Sequence, residues 1–208
     1  MRIPDDSEMK QLLQVISPSS PFGLRDVAMI NLALNTGLRV AELTGLDVKH
    51  VWFKEAPQTL LDLPPDICKY NRSRQIPLNT AAREAITQLI RFLRMRGFSS
   101  HPDAPLLTDR RHKRLPPREV QRCMQVYRER AGLALRVTPH TLRHAFASRL
   151  TQTGASPYEV KELLGHRELR TSHIYVFNQP HKLAAVVERL TPKLFVSKYP
   201  LGYIAIAA

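Results

Sequence analysis

Apolar residues recur at helical spacing in several separate stretches of the chain. A first helix is predicted after Asp5, which suits an N-cap position, and the proline- and serine-rich run 17–21 ends it. A second helix is predicted over about 23–36, because Gly37 suits the left-handed position that follows a helix. Residues 39–45 then indicate a further short helical turn, so a helix junction is predicted at residue 39.

The pattern changes between residues 50 and 78, where short apolar runs are separated by prolines and polar turns. These runs occupy residues 51–53, 59–61, 67–68 and 75–76. Runs of this length and composition predict a small antiparallel sheet, with residues 69–74 at a hairpin tip.

Helical periodicity returns over 80–96 and, after a loop rich in His, Pro and Arg at 99–117, over 118–131. Another helix is predicted to begin at Thr138, and most of the remaining sequence is also helical in pattern. The predicted class is therefore mainly α with a small antiparallel β-sheet, an α+β fold.

The chain has 208 residues, of which 43% are hydrophobic, enough for a normal core and the size of one ordinary domain or two small ones. We expect residues 1–190 to form that domain. Residues 191–208 form an odd apolar tail, which would either dock on another subunit or be an artefact.

Positive charge narrows the class of partner. The sequence carries 31 Lys and Arg against 18 Asp and Glu, a net charge of +13. Eleven of the basic residues lie between Arg110 and Arg149, with only Glu119 and Glu129 among them. A polyanion, nucleic acid first, is the predicted partner, although an anionic membrane or a merely basic surface would also fit net charge alone.

Other compositional features argue against several classes. Cys68 and Cys123 lie far apart without metal-type spacing, so neither a disulfide framework nor a structural metal site is predicted. The start of the chain lacks a signal-peptide pattern, and no apolar run approaches membrane-spanning length. A cytoplasmic protein without membrane contact is expected.

The most informative stretch is 138–144, Thr-Pro-His-Thr-Leu-Arg-His. Thr138 suits an N-cap and Pro139 the first helical turn, so His140 and Arg143 would share a face beside a helix N-terminus. That arrangement favours an anion such as phosphate. A surface arginine and a structural histidine are the alternative.

Three further motifs give this stretch its context. They are Asn-Thr-Gly-Leu-Arg-Val-Ala-Glu-Leu at 35–43, Leu-Gly-His at 164–166, and His-Ile-Tyr at 173–175, whose tyrosine follows His166 by nine residues. Together with a lysine at the predicted hairpin tip, and in this order, they resemble the tyrosine recombinase family, also called the phage integrase family. The resemblance spans residues 36–175, about two thirds of the chain.

The resemblance implies the catalytic-domain fold of that family and an enzyme that cuts and rejoins DNA strands at specific sites. Tyr175 would be the nucleophile and would form a covalent 3′-phosphotyrosine, without metal, cofactor or external energy source. Arg39 and Arg143 would clamp the phosphate, since fixed bidentate cations suit the charge of its transition state.

The resemblance assigns proton handling and phosphate contacts to three more residues. Lys69 would be the general acid, although it is flanked by Cys68 and Tyr70 where the family usually has small residues. His140 and His166 would hydrogen-bond the scissile phosphate and assist at the tyrosine.

Supporting residues are also predicted. Glu42 would brace Arg39, or form only a weak i,i+3 ion pair with it. His144 is expected mainly to pack against the core or to support the site from behind. The predicted DNA contacts are Arg72, Arg74, Arg110, Arg111, Lys113 and Arg114.

Three other functions fit part of the sequence. A metal-dependent nuclease could use His140 and His144, but the HExxH glutamate is missing. A type IB topoisomerase shares the chemistry, and the motifs at 35–43 and 164–166 favour a recombinase over it. A non-catalytic DNA-binding relative would have lost some of the matched residues, and all of them are present.

The resemblance also implies how the protein would assemble. Double-stranded DNA is the expected partner, bound by a homotetramer on paired sites, with a monomer off DNA. The helical clamp domain that typically precedes the catalytic domain is expected to be absent. Leu183, Val186, Val187 and Leu190 form an apolar stripe that fits either the domain's own core or a neighbouring subunit. The sequence names neither the DNA site nor the biological task.

Overall fold

The protein is described by a computed structural model that covers residues 2–17, 19–68, 73–165 and 180–190. Its helices are α1 (Asp6–Gln14), α2 (Gly23–Thr36), α3 (Val40–Gly45), α4 (Thr80–Met95), α5 (Pro117–Arg130), α6 (Pro139–Gln152), α7 (Pro157–Leu164) and α8 (Pro180–Glu188). Its strands are β1 (Trp52–Phe53), β2 (Ala56–Pro57), β3 (Leu60–Leu63) and β4 (Arg74–Pro77). The predicted mainly α class with small antiparallel sheets is confirmed.

Helix boundaries follow the capping signals in the sequence. Asp5 accepts a hydrogen bond from the backbone N–H of Glu8, and the Glu8 carboxylate accepts one from the backbone N–H of Asp5. Thr138 forms the same kind of reciprocal cap at the start of α6 with Thr141. These caps satisfy backbone donors that a helix start would otherwise leave free, so the predicted starts of both helices are confirmed.

The strands form two separate two-stranded sheets. Strand β1 pairs with β2, and β3 pairs antiparallel with β4, with Leu61 opposite Ile76. The expected strand at 67–68 is wrong, because residues 65–67 form a 3-10 turn. Pro64 precedes that turn and Pro65 is its first residue, and a proline has no N–H to donate to a sheet ladder.

Helix α2 is the centre of the main core. It is buried on nearly every side and packs against α4 and α6. A second, smaller core joins α6, α7 and α8 through Phe146 and Leu163 together with the apolar stripe of α8 and the residues after it. In that stripe Leu183 is 6% exposed and Val187 is fully buried. Of the two readings left open by the sequence, the structure therefore supports packing on the domain's own core.

A buried polar network fixes α5 to α2. The Tyr127 hydroxyl on α5 donates a hydrogen bond to Oδ2 of Asp26 on α2 at 2.6 Å. Arg25 pairs with the other Asp26 oxygen and donates through Nη1 to the backbone oxygen of Thr108 at 2.6 Å. Burial, followed by the charge of Asp26, raises the pKa of Tyr127 far above its usual range. Tyr127 is therefore a neutral donor, and the network sets the position of α5.

Among the helices described, none is both long enough and apolar enough to cross a membrane.

Candidate functional site

A cleft of about 1030 Å³ opens between α5, the start of α6 and the start of α3. Its lining includes six arginines and no acidic side chain among the described residues. The arginines are Arg39, Arg118, Arg122, Arg128, Arg136 and Arg143. A concave surface with one sign of charge concentrates the opposite charge, so this cleft suits a polyanion.

Arg143 is the deepest of these arginines, with 6% of its surface exposed. Its Nη1 donates to the backbone oxygen of Gly37, and its Nη2 donates to the backbone oxygen of Leu164. Burial, followed by repulsion from Arg39, lowers the pKa of Arg143 to about 10. The side chain thus stays charged at neutral pH and is held in one orientation by two carbonyls that belong to different elements.

Gly37 makes the first of those contacts possible. Its φ is +60°, a left-handed conformation that favours glycine, and a Cβ added there would lie 2.4 Å from a ring carbon of Phe146. Only glycine lets α2 end with its carbonyl beside α6. The Gly-Leu-Arg order in the sequence therefore places Arg39 and the acceptor for Arg143 two residues apart.

Glu42 lies beneath Arg39 and links it to Arg74. Only 1% of the Glu42 side chain is exposed. Arg74 donates from Nη1 and Nη2 to the two carboxylate oxygens at 2.8 and 2.7 Å, while Arg39 donates from Nη1 at 2.9 Å and from its backbone N–H at 2.7 Å. Burial alone would raise the pKa of Glu42, but the hydrogen bonds and charge of Arg74, followed by the backbone and side-chain hydrogen bonds of Arg39, lower it to about 2. The expected support of Arg39 by Glu42 is seen in these contacts.

The charged side chains around Glu42 have a net positive charge, which favours binding of an anion. Three guanidiniums (Arg39, Arg74 and Arg143) surround one carboxylate (Glu42), a formal charge of +2. The side chain of Arg39 is 27% exposed, more than that of Arg74 at 12%. Arg39 is therefore the member of the cluster that presents charge to the cleft, with Arg143 behind it.

His140 and His144 form an exposed pair on α6. Their Nε2 atoms lie 3.0 Å apart, and their rings meet edge to face at 4.4 Å between centroids. At that distance one Nε2 can donate a hydrogen bond to the other, and the tautomers of the two rings decide which one donates. Burial, then the charges of His140 and Arg143, lowers the pKa of His144. His140 lines the cleft with Arg143, as the helical spacing predicted.

Of the two roles expected for His144, packing against the core is wrong, because its side chain is exposed. Four residues along a helix bring it back over His140 on the solvent side, whereas Arg143 points inward. Its contact with His140 nevertheless places it directly behind a cleft residue.

The predicted DNA-contacting residues fall into two groups. Arg110, Arg111 and Lys113 are exposed on a tight turn held by Asp109, which accepts from the backbone N–H groups of Arg111 and Lys113. Arg114, by contrast, bridges to the backbone oxygens of Thr44 and Leu46 and to the Asp47 carboxylate.

The role predicted for Arg74 is the one that the structure changes most. The residue was expected on the DNA-facing surface, but its guanidinium is committed to buried Glu42 and it does not line the cleft. Arg74 is the first residue of β4, and its side chain reaches Glu42 on α3 instead of the cleft.

Sequence reasoning missed most of the cleft wall on α5. Its polar face carries Arg118, Gln121, Arg122, Gln125 and Arg128. The opposite face buries Val120, Met124 and Tyr127. Helical spacing alone could have separated these two faces, but the high local charge was interpreted only as a general basic region.

Four of the predicted site residues, Lys69, Arg72, His166 and Tyr175, lie outside the described residues. Gly165, which precedes His166, is described and lies against Arg74 and Arg39. Within the described ranges, no group of three or more His, Cys, Asp or Glu side chains is arranged to hold a metal ion.

Comparison with solved structures identifies the fold. The structure matches the XerA recombinase with a TM-score of 0.67 at 23% identity, covering 93% of this chain and 66% of that one. An integrase from mycobacterium phage Brujita matches with the same TM-score and identity, covering 93% and 59%. The XerH site-specific recombinase bound to its difH substrate matches with a TM-score of 0.62 at 18% identity, over 78% of this chain and 45% of that one. The fold is that of tyrosine recombinase catalytic domains.

Sequence comparison identifies the family. The profile described as "Phage integrase family" matches residues 4–182. A protein named tyrosine recombinase XerC from Syntrophus aciditrophicus is 34% identical over 192 residues, 89% of this chain and 59% of that protein. A protein of the same name from Haemophilus ducreyi is 36% identical over 189 residues, covering 91% and 59%. The chain belongs to the phage integrase family, and it spans about 59% of the length of these relatives.

Proposed function

We propose that this chain is the catalytic domain of a site-specific DNA recombinase, which cleaves and rejoins strands through a covalent 3′-phosphotyrosine. The observation that carries the proposal is the convergence of Arg39, His140 and Arg143, from two distant sequence motifs, on one cleft. Among the residues that the structure describes, no acidic side chain lines that cleft. The proposed domain is residues 1–190. The names of the relatives, which are recombinases and integrases, support the same activity.

The proposed reaction is two successive exchanges of phosphodiester bonds. The Tyr175 oxygen attacks phosphorus, the bond from phosphorus to the 5′ oxygen breaks, and Lys69 gives the leaving 5′ oxygen its proton. The phosphotyrosine bond conserves the energy of the broken phosphodiester, so a second 5′ hydroxyl can reverse the step without metal or nucleotide.

Arg39 and Arg143 would stabilise the extra negative charge on the non-bridging oxygens. Their advantage is that they are already fixed, by Glu42 and by two backbone carbonyls, before the phosphate arrives. A preorganised donor of this kind is worth on the order of 100- to 1000-fold in rate. His140 and His166 would hydrogen-bond the same phosphate and handle the tyrosine proton.

The DNA duplex would follow the cleft along α5. The arginines of its polar face, together with Arg136, would contact backbone phosphates, and the exposed turn with Arg110, Arg111 and Lys113 would extend that contact. Solved structures of the Tn1549 transposon integrase, which has the same fold and is named in complex with DNA, support DNA as the partner.

The proposed working form is a homotetramer on two paired sites, formed from monomers in the cytoplasm. The stripe at 183–190 packs on its own domain, which leaves residues 191–208 as the candidate for docking on a neighbouring subunit.

A covalent trapping assay tests the proposal. The full chain is incubated in EDTA with a pool of nicked duplexes of randomised sequence, in which the cut-off fragment diffuses away and traps the intermediate. We expect an SDS-stable adduct that is absent with Tyr175→Phe, and sequencing of the trapped DNA would give the site.

The rival functions predict different results. A metal-dependent nuclease would leave no adduct and would cut only with added metal. A non-catalytic DNA-binding relative would bind the pool without cutting it. A type IB topoisomerase would form the adduct and relax supercoiled plasmid but would not exchange strands between two trapped sites.

A further inference from the structure

Arg74 is a partly buried arginine at the start of β4, and its guanidinium pairs with a carboxylate although a basic cleft lies nearby. Its two terminal nitrogens bond in parallel to the two oxygens of Glu42, at 2.8 and 2.7 Å. This planar, doubly bonded arrangement is the strongest that an arginine and a carboxylate form. Because Arg74 is 12% exposed and absent from the cleft lining, it is not placed to contact DNA itself.

Arg39 shares the same carboxylate. Each Glu42 oxygen accepts one bond from Arg74 and one from Arg39, through Nη1 on one oxygen and the backbone N–H on the other. Arg39 therefore gives Glu42 only one of its guanidinium nitrogens. Arg74 occupies the side of the carboxylate where a second guanidinium nitrogen of Arg39 could bind.

A third segment fixes where Arg74 can lie. A Cβ added at Gly165 would be 2.9 Å from Cδ and 3.2 Å from Nε of Arg74, closer than ordinary contact allows. Gly165 also has a φ of +63°, and its backbone oxygen lies 3.4 Å from Nη2 of Arg39. The side chain of Arg74 thus lies between α3 and Gly165, the residue that follows α7 and precedes His166.

We infer that Arg74 is a positioning residue, which holds the Glu42 carboxylate through two parallel hydrogen bonds so that Arg39 stays turned toward the cleft. Without Arg74, each oxygen of the buried Glu42 carboxylate loses a hydrogen-bond donor, which is energetically costly. Arg39 can restore these bonds by turning both of its terminal nitrogens onto Glu42. Arg39 would then leave the position from which it binds phosphate. This inference rests on the proposed function.

The test compares Arg74→Met with the same change combined with Glu42→Gln. Methionine keeps the length of the side chain and removes its charge. We expect the rate of adduct formation to fall on the order of tenfold to a hundredfold, with DNA affinity changed less than threefold. In the double variant, a neutral amide no longer draws in Arg39, so we expect at least a fivefold recovery of the rate. Arg74→Lys, which can form only one such bond, should give an intermediate rate.

The opposite assignment, in which Arg74 contacts DNA directly, predicts a different pattern. Arg74→Met would then weaken DNA binding as much as it slows cleavage, and Glu42→Gln would restore nothing; that pattern would overturn the inference. Arg94→Met is the matched control, because Arg94 pairs with exposed Glu55 outside the cleft, and it should change neither quantity.

A readout independent of activity separates the two proposals. Side-chain NMR of the arginine Nε–H groups, assigned with Arg39→Lys and Arg74→Lys, reports the bonding of Arg39 without DNA. We expect Arg74→Met to shift the Arg39 resonance and Glu42→Gln to shift it back toward a free guanidinium. An Arg39 signal that does not move in Arg74→Met refutes positioning, whereas a wild-type chain that forms no adduct refutes only the proposed reaction. If Arg74→Met alone does not fold, the double variant and Arg74→Lys carry the same comparison.

Discussion

The hydrogen bond between Tyr127 and Asp26 is expected to contribute a measurable part of the stability, and Tyr127→Phe removes only that bond. Phenylalanine keeps the ring that packs beside Val120 and Met124 in the core. Asp26 keeps Arg25 on its other oxygen. The one group that loses its partner is Oδ2 of a carboxylate that is 2% exposed.

The magnitude follows from that burial. A hydrogen bond to a charged group contributes about 1.5–3 kcal/mol, and an acceptor left unsatisfied in the interior adds to the loss. The remaining pairing with Arg25 keeps the carboxylate ionised, so we expect a loss of about 2 kcal/mol in the free energy of unfolding. For a domain of this size that corresponds to a fall of roughly 4–8 °C in Tm.

Urea unfolding followed by circular dichroism measures this change, with the slope against urea expected to stay constant. Asp26→Asn in the same background completes a double-mutant cycle, which should give a coupling energy of at least about 1 kcal/mol. A loss below about 0.5 kcal/mol, or additive effects in the cycle, would show that Tyr127 does not fix α5 through Asp26.

Three further predictions follow from the cleft. Arg143→Lys cannot span the two carbonyls that hold the guanidinium, so adduct formation should fall about 100-fold or more while DNA affinity changes little; equal losses in both would contradict this. The pKa of Glu42 is about 2 in the folded state against 4.5 for the free group, so the stability that this carboxylate contributes is present above about pH 4.5 and is lost as the pH falls toward 2. The stability of Glu42→Gln should therefore depend less on pH between 4.5 and 2. Acid unfolding with the same pH profile as the wild type would refute the assignment. Arg118→Gln should reduce the slope of log affinity for DNA against log salt by about 0.9, with Arg94→Gln leaving the slope unchanged as the control.

Much of the local structure could be predicted because its causes are local. The reciprocal cap at Thr138 and the glycine after α2 act within a few residues, and both helix boundaries appear where the sequence placed them. Spacing on one helix likewise brought His140 and Arg143 to the same cleft. The ordered motifs were enough to indicate the family, which the sequence comparison confirmed.

Other features depend on contacts between distant segments, and local patterns do not encode them. The side chain of Arg74 looked like one more surface cation, and only the tertiary fold brings it onto Glu42, 32 residues away in sequence. The same holds for His144, whose exposure is decided by which face of α6 meets α2, and for the polar face of α5, which becomes a cleft wall because Tyr127 ties its other face to Asp26. The elements, the basic character and the family follow from the order of residues, since capping, periodicity, charge and motif order are local or linear features of the chain. Only the folded structure decides which cationic side chains face the cleft and which are paired with buried carboxylates. Burial and pairing depend on which distant segments the fold places beside each side chain.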